Sequence, residues 1–264
     1  MKYGRVLLPV LFPLFLLGTW QIAVEVGWWP RTLIATPLDV LKDFFVLLSS
    51  GELLAHSRVS LVRLVEGFFL GSIAAVLIGS MVGLSKTVER LLAPTFQALS
   101  PIPPPAWIPV LIILFGIEEL SKVALIAIGA FIIVYVNTFQ GFRSTDQKLV
   151  ELAMTFQKSK RELTLSVLLP SALPSIMTGM RIALGLSWIL LIASELISSK
   201  MVSEATRMEG IGLGWLIYDA RRFGRPDDMI VGMISMGILG KATDMLTEYF
   251  EKRLLRWRQV FQGA

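Results

Sequence analysis

LVELAMTFQKSKRELTLSVLLPSALPSIMTGMR, residues Leu149–Arg181, is the stretch around which the rest of the chain is organised. It is the only long, charged, helix-compatible segment enclosed on both sides by apolar runs of membrane-spanning length. A polar helical hook between two spans, in a chain with no nucleotide-binding sequence of its own, reads as a docking element for another protein. The plain alternative is an amphipathic surface helix ended by Pro170, since proline commonly ends helices.

Working outward, the composition places the whole chain in a membrane. Of 264 residues, 54% are hydrophobic and 17% charged, and the mean hydropathy is +0.68. These values leave the soluble class. The net charge of +5 fits basic loops at an anionic leaflet better than a nucleic-acid surface, so no nucleic-acid partner is expected. The absence of cysteine excludes disulfides and thiolate metal sites. The single histidine, His56, stands beside Ser57 and Arg58 and reads as a solvated interfacial residue.

Six spans are predicted. The first, about 6–26, is uncharged before Glu25 and long enough for a ~30 Å hydrocarbon core. Lys2 and Arg5 ahead of it place the N-terminus in the cytoplasm. A cleaved signal peptide would share the basic start, but the run is too long for one and no small-residue cleavage site follows it. Thr36-Pro37-Leu38-Asp39 then supplies a cap, a first-turn proline and an acid for a short helix over 38–48, lying on the outer membrane surface. In the second span, about 59–84, Gly67, Gly71, Ala75, Gly79 and Gly83 recur every fourth residue, a ridge that admits close approach of another helix. Arg63 and Glu66, three apart, are placed to pair across one turn, either as an interfacial ion pair or as part of the transport path.

The third apolar run, 88–117, is interrupted by Pro101, Pro103, Pro104, Pro105 and Pro109. Prolines remove backbone donors, and inside a membrane such a break is tolerated only where it is buried in protein or lines a cavity. The translocation path is therefore expected to border Pro103, Pro105, Trp107 and Phe115. The fourth span covers 120–142, the fifth 173–197 and the sixth 229–249, the last leaving Lys252, Arg253, Arg256 and Arg258 on the cytoplasmic side. Arg181 lies about seven residues, or ~10 Å, inside the fifth span. It either attracts an anionic substrate or snorkels to the interface. Lys241 and Asp244 are expected to neutralise each other. The glycines of Gly210-Ile211-Gly212-Leu213-Gly214 lack the preceding strand of a nucleotide loop and read as a re-entrant or surface gate.

Glu151-Leu152-Ala153, Gln157 and Val167-Leu168-Leu169-Pro170 resemble the EAA loop of ABC-transporter permeases, a short cytoplasmic helix seated in a groove of the ATPase subunit. Glu151, Ala153, Leu169 and Pro170 match the pattern, whereas Leu152 replaces its second alanine, Gln157 its glycine and Val167 its isoleucine. A glycine would bend there freely; Gln157 is expected to keep the helix straighter. The run Pro103-Pro104-Pro105-Ala106-Trp107-Ile108-Pro109, the segment 114–122, Thr178–Gly185 and Ala193-Ser194-Glu195 resemble the nitrate, sulfonate and taurine importer permeases.

The resemblance implies an all-α integral membrane protein of the type I importer permease fold. Residues 1–52 would form a span and outer helix, 53–258 the transmembrane domain with its coupling loop at about 146–170, and 259–264 a cytoplasmic tail. It further implies no catalytic residue, metal or cofactor on this chain, with ATP and Mg bound by a separate ATPase. The coupling residues would be Glu151, Ala153, Gln157, Val167, Leu169 and Pro170. Those bordering the path would be Pro103, Pro105, Trp107, Phe115, Arg181 and Glu195. The implied assembly is a permease homodimer with two ATPases and an external solute-binding protein, in the cytoplasmic membrane of a prokaryote with both termini inside. The rivals are a six-span carrier driven by an ion gradient, for which only Arg181, Lys241 and Asp244 offer ionisable groups, and a membrane enzyme, for which no catalytic constellation appears.

Overall fold

The computed structural model describes residues 4–198 and 211–255. Lys2, Arg256, Arg258, the tail 259–264 and the first part of the polar outer segment, including Gly210, lie outside the described residues. The elements are α1 (Gly4–Glu25), α2 (Pro37–Ser49), α3 (Glu52–Leu84), α4 (Lys86–Leu99), a 3-10 turn (Pro104–Trp107), α5 (Ile108–Phe115), α6 (Glu119–Arg143), α7 (Gln147–Thr155), α8 (Lys160–Leu163), a π turn (Thr164–Leu168), α9 (Leu169–Ser198), α10 (Leu213–Arg222) and α11 (Pro226–Leu254). Among the described residues there is no strand.

Among the described residues four helical stretches are long and apolar enough to cross a bilayer: Glu52–Leu84, Glu119–Arg143, Lys160–Leu196 and Pro226–Leu254. The pair Lys86–Leu99 and Pro104–Phe115 makes a fifth, bent by 90° at the proline-rich break. The apolar part of α1 adds a shorter helix, Leu11–Glu25. The chain divides into two compact units, Met1–Leu61 with Glu195–Ile238 and Val62–Ser194 with Leu239–Ala264.

In the second unit α6 is the central element, packed on α3 on one side and α9 on the other. The glycine ridge is its seat. A Cβ on Gly67 would stand 2.6 Å from Ile126 Cβ, and one on Gly79 2.9 Å from Thr138 Cβ. On Gly71 it would run into the Ala127 carbonyl itself. Large residues of α3 such as Ile73, Leu77 and Met81 point the other way and are exposed, as suits lipid or a partner helix. Toward α9, Gly141 faces the Ala172 backbone and Gly179 faces Asn137. Ser175 Oγ donates across the pair to the Asn137 carbonyl at 2.8 Å.

In the first unit α2 begins as its sequence predicts, Thr36 Oγ1 accepting from Asp39 N at 3.1 Å. His56 corrects the solvated reading: it is fully buried. Its Nδ1 lies 2.9 Å from the Gly212 carbonyl and 3.2 Å from both the Ile211 and Gly212 amides, and its ring stacks on Trp215. The carboxylates of Asp43, Asp227 and Asp228 gather within 4.8 Å of one another. Burial, then a hydrogen bond with Asp228 and the negative charge of Asp228 and Asp227, pushes Asp43 from 3.8 up to about 7, with Arg225 opposing.

Two outcomes follow from this packing. Gly71→Ala, forced against backbone, should destabilise the protein by about 1–3 kcal/mol. Gly185→Ala, whose Cβ meets nothing within 4 Å, should be neutral or stabilising by up to about 1 kcal/mol; thermal unfolding in detergent distinguishes them. Asp43 stays protonated in the fold up to about pH 7 but ionises from 3.8 upward when unfolded. Its contribution to stability is therefore full below 3.8 and lost as pH rises through about 7. Asp43→Asn should flatten that part of the melting-temperature profile.

Candidate functional site

The segment between α6 and α9 forms a helical hairpin. Asp146 caps α7, accepting from Lys148 N at 2.9 Å. The helix ends at Thr155 rather than running straight on, which overturns the expectation for Gln157. Gln157 has φ +53, the only positive φ of a non-glycine residue among those described. Its amide donates to the Met154 carbonyl at 2.9 Å, and Lys158 N donates to Ala153 O at 3.3 Å. These are the two bonds of a Schellman ending, with Gln157 at the left-handed position usually held by glycine.

The chain restarts at once. Ser159 N donates to Glu162 Oε2 at 2.8 Å and Glu162 N donates to Ser159 Oγ at 3.3 Å, a capping box for α8. A turn thus forms where the resembled loop pattern has glycine, because the capping box fixes where the next helix starts. Pro170 does not end that helix. The π turn Thr164–Leu168 leads directly into α9, and a single helical stretch runs from Lys160 to Leu196. A π turn widens the backbone ladder where proline has no N–H to give.

On the hairpin Glu151, Leu152, Met154 and Phe156 are exposed, Phe156 at 71%, while Ala153 is buried beneath them. Gln157 is exposed, and Val167, Leu169 and Pro170 are half-buried. A groove of about 840 Å³ lies between the hairpin and the adjoining ends of α6 and α9, lined by Ala153, Phe156, Val167 and Pro170 among others. Lys158 Nζ crosses the hairpin to donate to Ser166 Oγ at 2.9 Å.

Arg181, on α9, meets three carboxylates of α11. Its Nε lies 2.8 Å from Asp244 Oδ1, and its terminal nitrogens lie 3.5 Å from Glu248 and 3.6 Å from Glu251. Lys241 does pair with Asp244, at 3.1 Å, but shares it with Arg181. Trp188 Nε1 donates to Thr243 Oγ1 at 3.0 Å. The guanidinium is thus spent on joining two helices.

At the broken span Pro103 and Pro105 are exposed, Phe115 is 42% exposed, and Trp107 lines an apolar cavity of about 360 Å³ with Phe96, Ala127 and Phe131. Glu195 belongs to the first unit. Its carboxylate accepts from Ser60 Oγ at 2.8 Å and from Gly214 N at 2.7 Å, at the N-terminus of α10, where anionic charge is favoured. Arg63 pairs across helices with Glu119, not with its near neighbour Glu66: Nε to Oε2 is 2.5 Å.

An all-α membrane chain with a broken span and a protruding helical hairpin defines a transport permease. Residues 67–256 match the family described as binding-protein-dependent transport system inner membrane component, and the chain belongs to it. It is 37% identical, over 96% of its length and 88% of the relative's, to a putative aliphatic sulfonates transport permease of Bacillus subtilis. The corresponding putative aliphatic sulfonates transport permease of Escherichia coli is 38% identical over 96% of this chain and 92% of that one. A bicarbonate transport permease of Synechococcus elongatus is 31% identical over 97% of this chain and 91% of that one. A methionine ABC transporter structure in an inward-facing conformation superposes with TM-score 0.61 at 17% identity, covering 77% of this chain and 94% of that chain, and shows the same fold. The chain is therefore the membrane-spanning permease of an ABC importer, which sets aside the ion-gradient carrier.

Three features were readable and passed over. Ser159-x-x-Glu162 is a capping-box spacing. Phe156 is an aromatic at the end of a run, Leu152-Ala153-Met154, with apolar side chains beside polar residues. His56 falls in helical step with Ser60, Leu64, Gly67 and Gly71 on the buried face of α3. At Gln157, glycine should be tolerated and leave thermal stability unchanged or higher, because it removes a left-handed penalty of ~1–2 kcal/mol. Gln157→Val, β-branched at φ +53, should destabilise the hairpin by about 1–2 kcal/mol. Thermal unfolding of the two variants in detergent measures both.

Proposed function

We propose that this permease imports a small anionic solute of the sulfonate or bicarbonate type, driven by ATP hydrolysed on a separate subunit. Its relatives' solutes and its own basic balance support that class. The observation that carries the coupling role is the exposed apolar cap of the hairpin: Leu152, Met154 and Phe156, all more than half exposed, on a segment continuous in helix with α9. Exposed large apolar groups clustered on a polar loop mark a protein contact. The partner is the ATPase, which holds ATP and Mg; none is assigned to this chain.

Closure of two ATPases would move the hairpin, and the unbroken backbone through Pro170 would carry the motion into the fifth span. Only a difference in the ATPase's affinity for the two permease conformations can perform work on the solute path. The assembly follows as two permease copies, C2 being the commonest symmetry, with two ATPases and an external solute-binding protein. The hairpin then lies in the cytoplasm, as do both termini. Pro103, Pro105, Trp107 and Phe115 are assigned to the border of the path. Glu151, Ala153, Gln157, Val167, Leu169 and Pro170 are assigned to coupling, Glu151 at the contact and the rest in support of its geometry.

Phe156→Ala should weaken ATPase association about thirtyfold, corresponding to ~2 kcal/mol for a buried aromatic anchor, and Glu151→Lys about tenfold. Both should leave the melting profile of the permease unchanged. Normal co-purification and normal ATP-driven uptake in proteoliposomes with either variant would refute the assignment.

A further inference from the structure

We infer that Lys86, Arg90 and Arg143 form a binding site for the phosphate headgroup of an anionic phospholipid, at the membrane surface on the hairpin's side. This goes beyond the proposed function and needs only that the chain spans a bilayer.

The packing of α3 on α6 builds the place. The two helices run parallel, since Gly67 meets Val123 and Ile126 while Gly83 meets Phe142. Both therefore end on the same side, α3 at Leu84 and α6 at Arg143, just before α7 begins. Ser85 turns the chain at once into α4, its Oγ accepting from Val88 N at 3.4 Å. Along α4, Lys86, Arg90, Ala93 and Gln97 follow one another at three- and four-residue steps and so share a face. With Glu89 and Arg143 they line a groove of about 480 Å³, a size within the roughly 300–1,000 Å³ of small-ligand sites.

The charges in the groove are unbalanced. Arg143 Nη2 lies 3.2 Å from Glu89 Oε1, and its guanidinium carbon stands 5.8 Å from the Phe139 ring centroid, so this cation is held at the groove wall. Glu89 is thereby engaged. Lys86 and Arg90 are exposed and have no carboxylate partner among the described residues. Their placement is also unfavourable in itself: Lys86 is the first residue of α4 and Arg90 lies one turn on. Cations at a helix N-terminus oppose its dipole, and like charges four residues apart repel. A phosphate would relieve both costs while accepting charge-assisted bonds from the ammonium and the guanidinium.

The surroundings select a lipid phosphate over a free one. The groove lies at the ends of two membrane-spanning helices. Leu84 and Leu91, close in the chain to Lys86 and Arg90, are 43% and 70% exposed, apolar surface for acyl chains beside a polar head. Basic pockets between spanning helices at this depth are where anionic headgroups bind.

The experiment titrates dioctanoyl phosphatidylglycerol into the full chain in neutral maltoside detergent, by calorimetry, with dioctanoyl phosphatidylcholine and glycerol 1-phosphate as comparison ligands. Each cation removed should weaken phosphatidylglycerol about fivefold, so Lys86→Gln with Arg90→Gln should weaken it about thirtyfold. Exchanging the two cations, Lys86→Arg with Arg90→Lys, should keep affinity within about threefold. Lys160→Gln with Arg161→Gln, which removes two exposed cations of the hairpin outside the groove, should change it by less than about twofold. Equal losses from the two glutamine pairs, or a loss under about twofold at Lys86 and Arg90, would reduce the site to diffuse attraction and overturn it. Should the double variant fail to fold, Lys86→Gln alone decides: binding about fivefold weaker supports the site, and a change under about twofold refutes it. Equal affinity for phosphatidylcholine would refute an anion site, and equal affinity for glycerol 1-phosphate would assign the groove to free phosphates against the lipid. Loss of ATPase co-purification from Lys86→Gln with Arg90→Gln, in detergent free of phospholipid, would give this face to the ATPase and overturn the lipid reading.

Discussion

The second unit depends on backbones brought closer than side chains normally allow. In a bilayer the surrounding lipid is as apolar as leucine, so burial of apolar surface gives helices little reason to associate. What holds them is dispersion contact over long, small-residue seams, supplemented by hydrogen bonds. α6 has such a seam on both sides: Gly67, Gly71, Gly79 and Gly83 of α3 face it, and its own Gly141, with Gly179 of α9, closes the other. Ser175 adds a side-chain bond to the Asn137 carbonyl. α3 thereby turns its bulky residues outward, the reverse of a soluble helix.

That seam settles what the charged groups can do. Packing leaves polar side chains only the helix ends and the grooves between helices, and the two clusters of this unit use those places in opposite ways. Around Arg181 one cation meets three carboxylates, with Lys241 and Lys252 bonded to the same acidic row. Such a ladder fastens α9 to α11 and leaves the guanidinium no unmet demand for an anion. At the other end of α6, burial falls on Arg63 and Lys122 and exposure on the carboxylate. Removing a buried cation from water is expensive unless an anion stays beside it, and Glu119 is placed beside both cations.

The sequence made legible whatever local periodicity controls. The four-residue spacing of the glycines told which face of α3 is buried, Thr36-Pro37 told where α2 starts, and the prolines at 101–109 told where the third span breaks. Contacts between distant residues were not legible. Arg63 has Glu66 one turn away, yet its partner Glu119 is 56 residues off. Glu195, expected only by resemblance to border the path, has Gly212 and Gly214 folded onto it, so close that a Cβ on Gly212 would overlap its carboxyl group. His56 was obscured by its polar neighbours Ser57 and Arg58, although the buried residues in step with it, Ser60 and Leu64, lie four and eight residues along the helix. At Gln157 propensity pointed to helix, and the capping of Ser159 and Glu162 overrode it, as paired local bonds outweigh a few tenths of a kcal/mol of intrinsic preference.

The same override explains why the proline after the hairpin does not interrupt the helix. A proline in an α-helix interior forfeits one backbone bond and presses on the carbonyl four residues back, usually bending or ending the helix. Here that carbonyl belongs to Ser166, inside the π turn, where the ladder is already spaced by five residues and the ring can be accommodated. Ser166 is further tied down on both sides, donating to the Glu162 carbonyl at 2.6 Å and accepting from Lys158 at 2.9 Å. The widened turn is thus fixed to the hairpin below it and continuous with α9 above. The helix therefore runs without a break from α8 through the π turn into α9, the helix that Gly179 and Ser175 hold against α6.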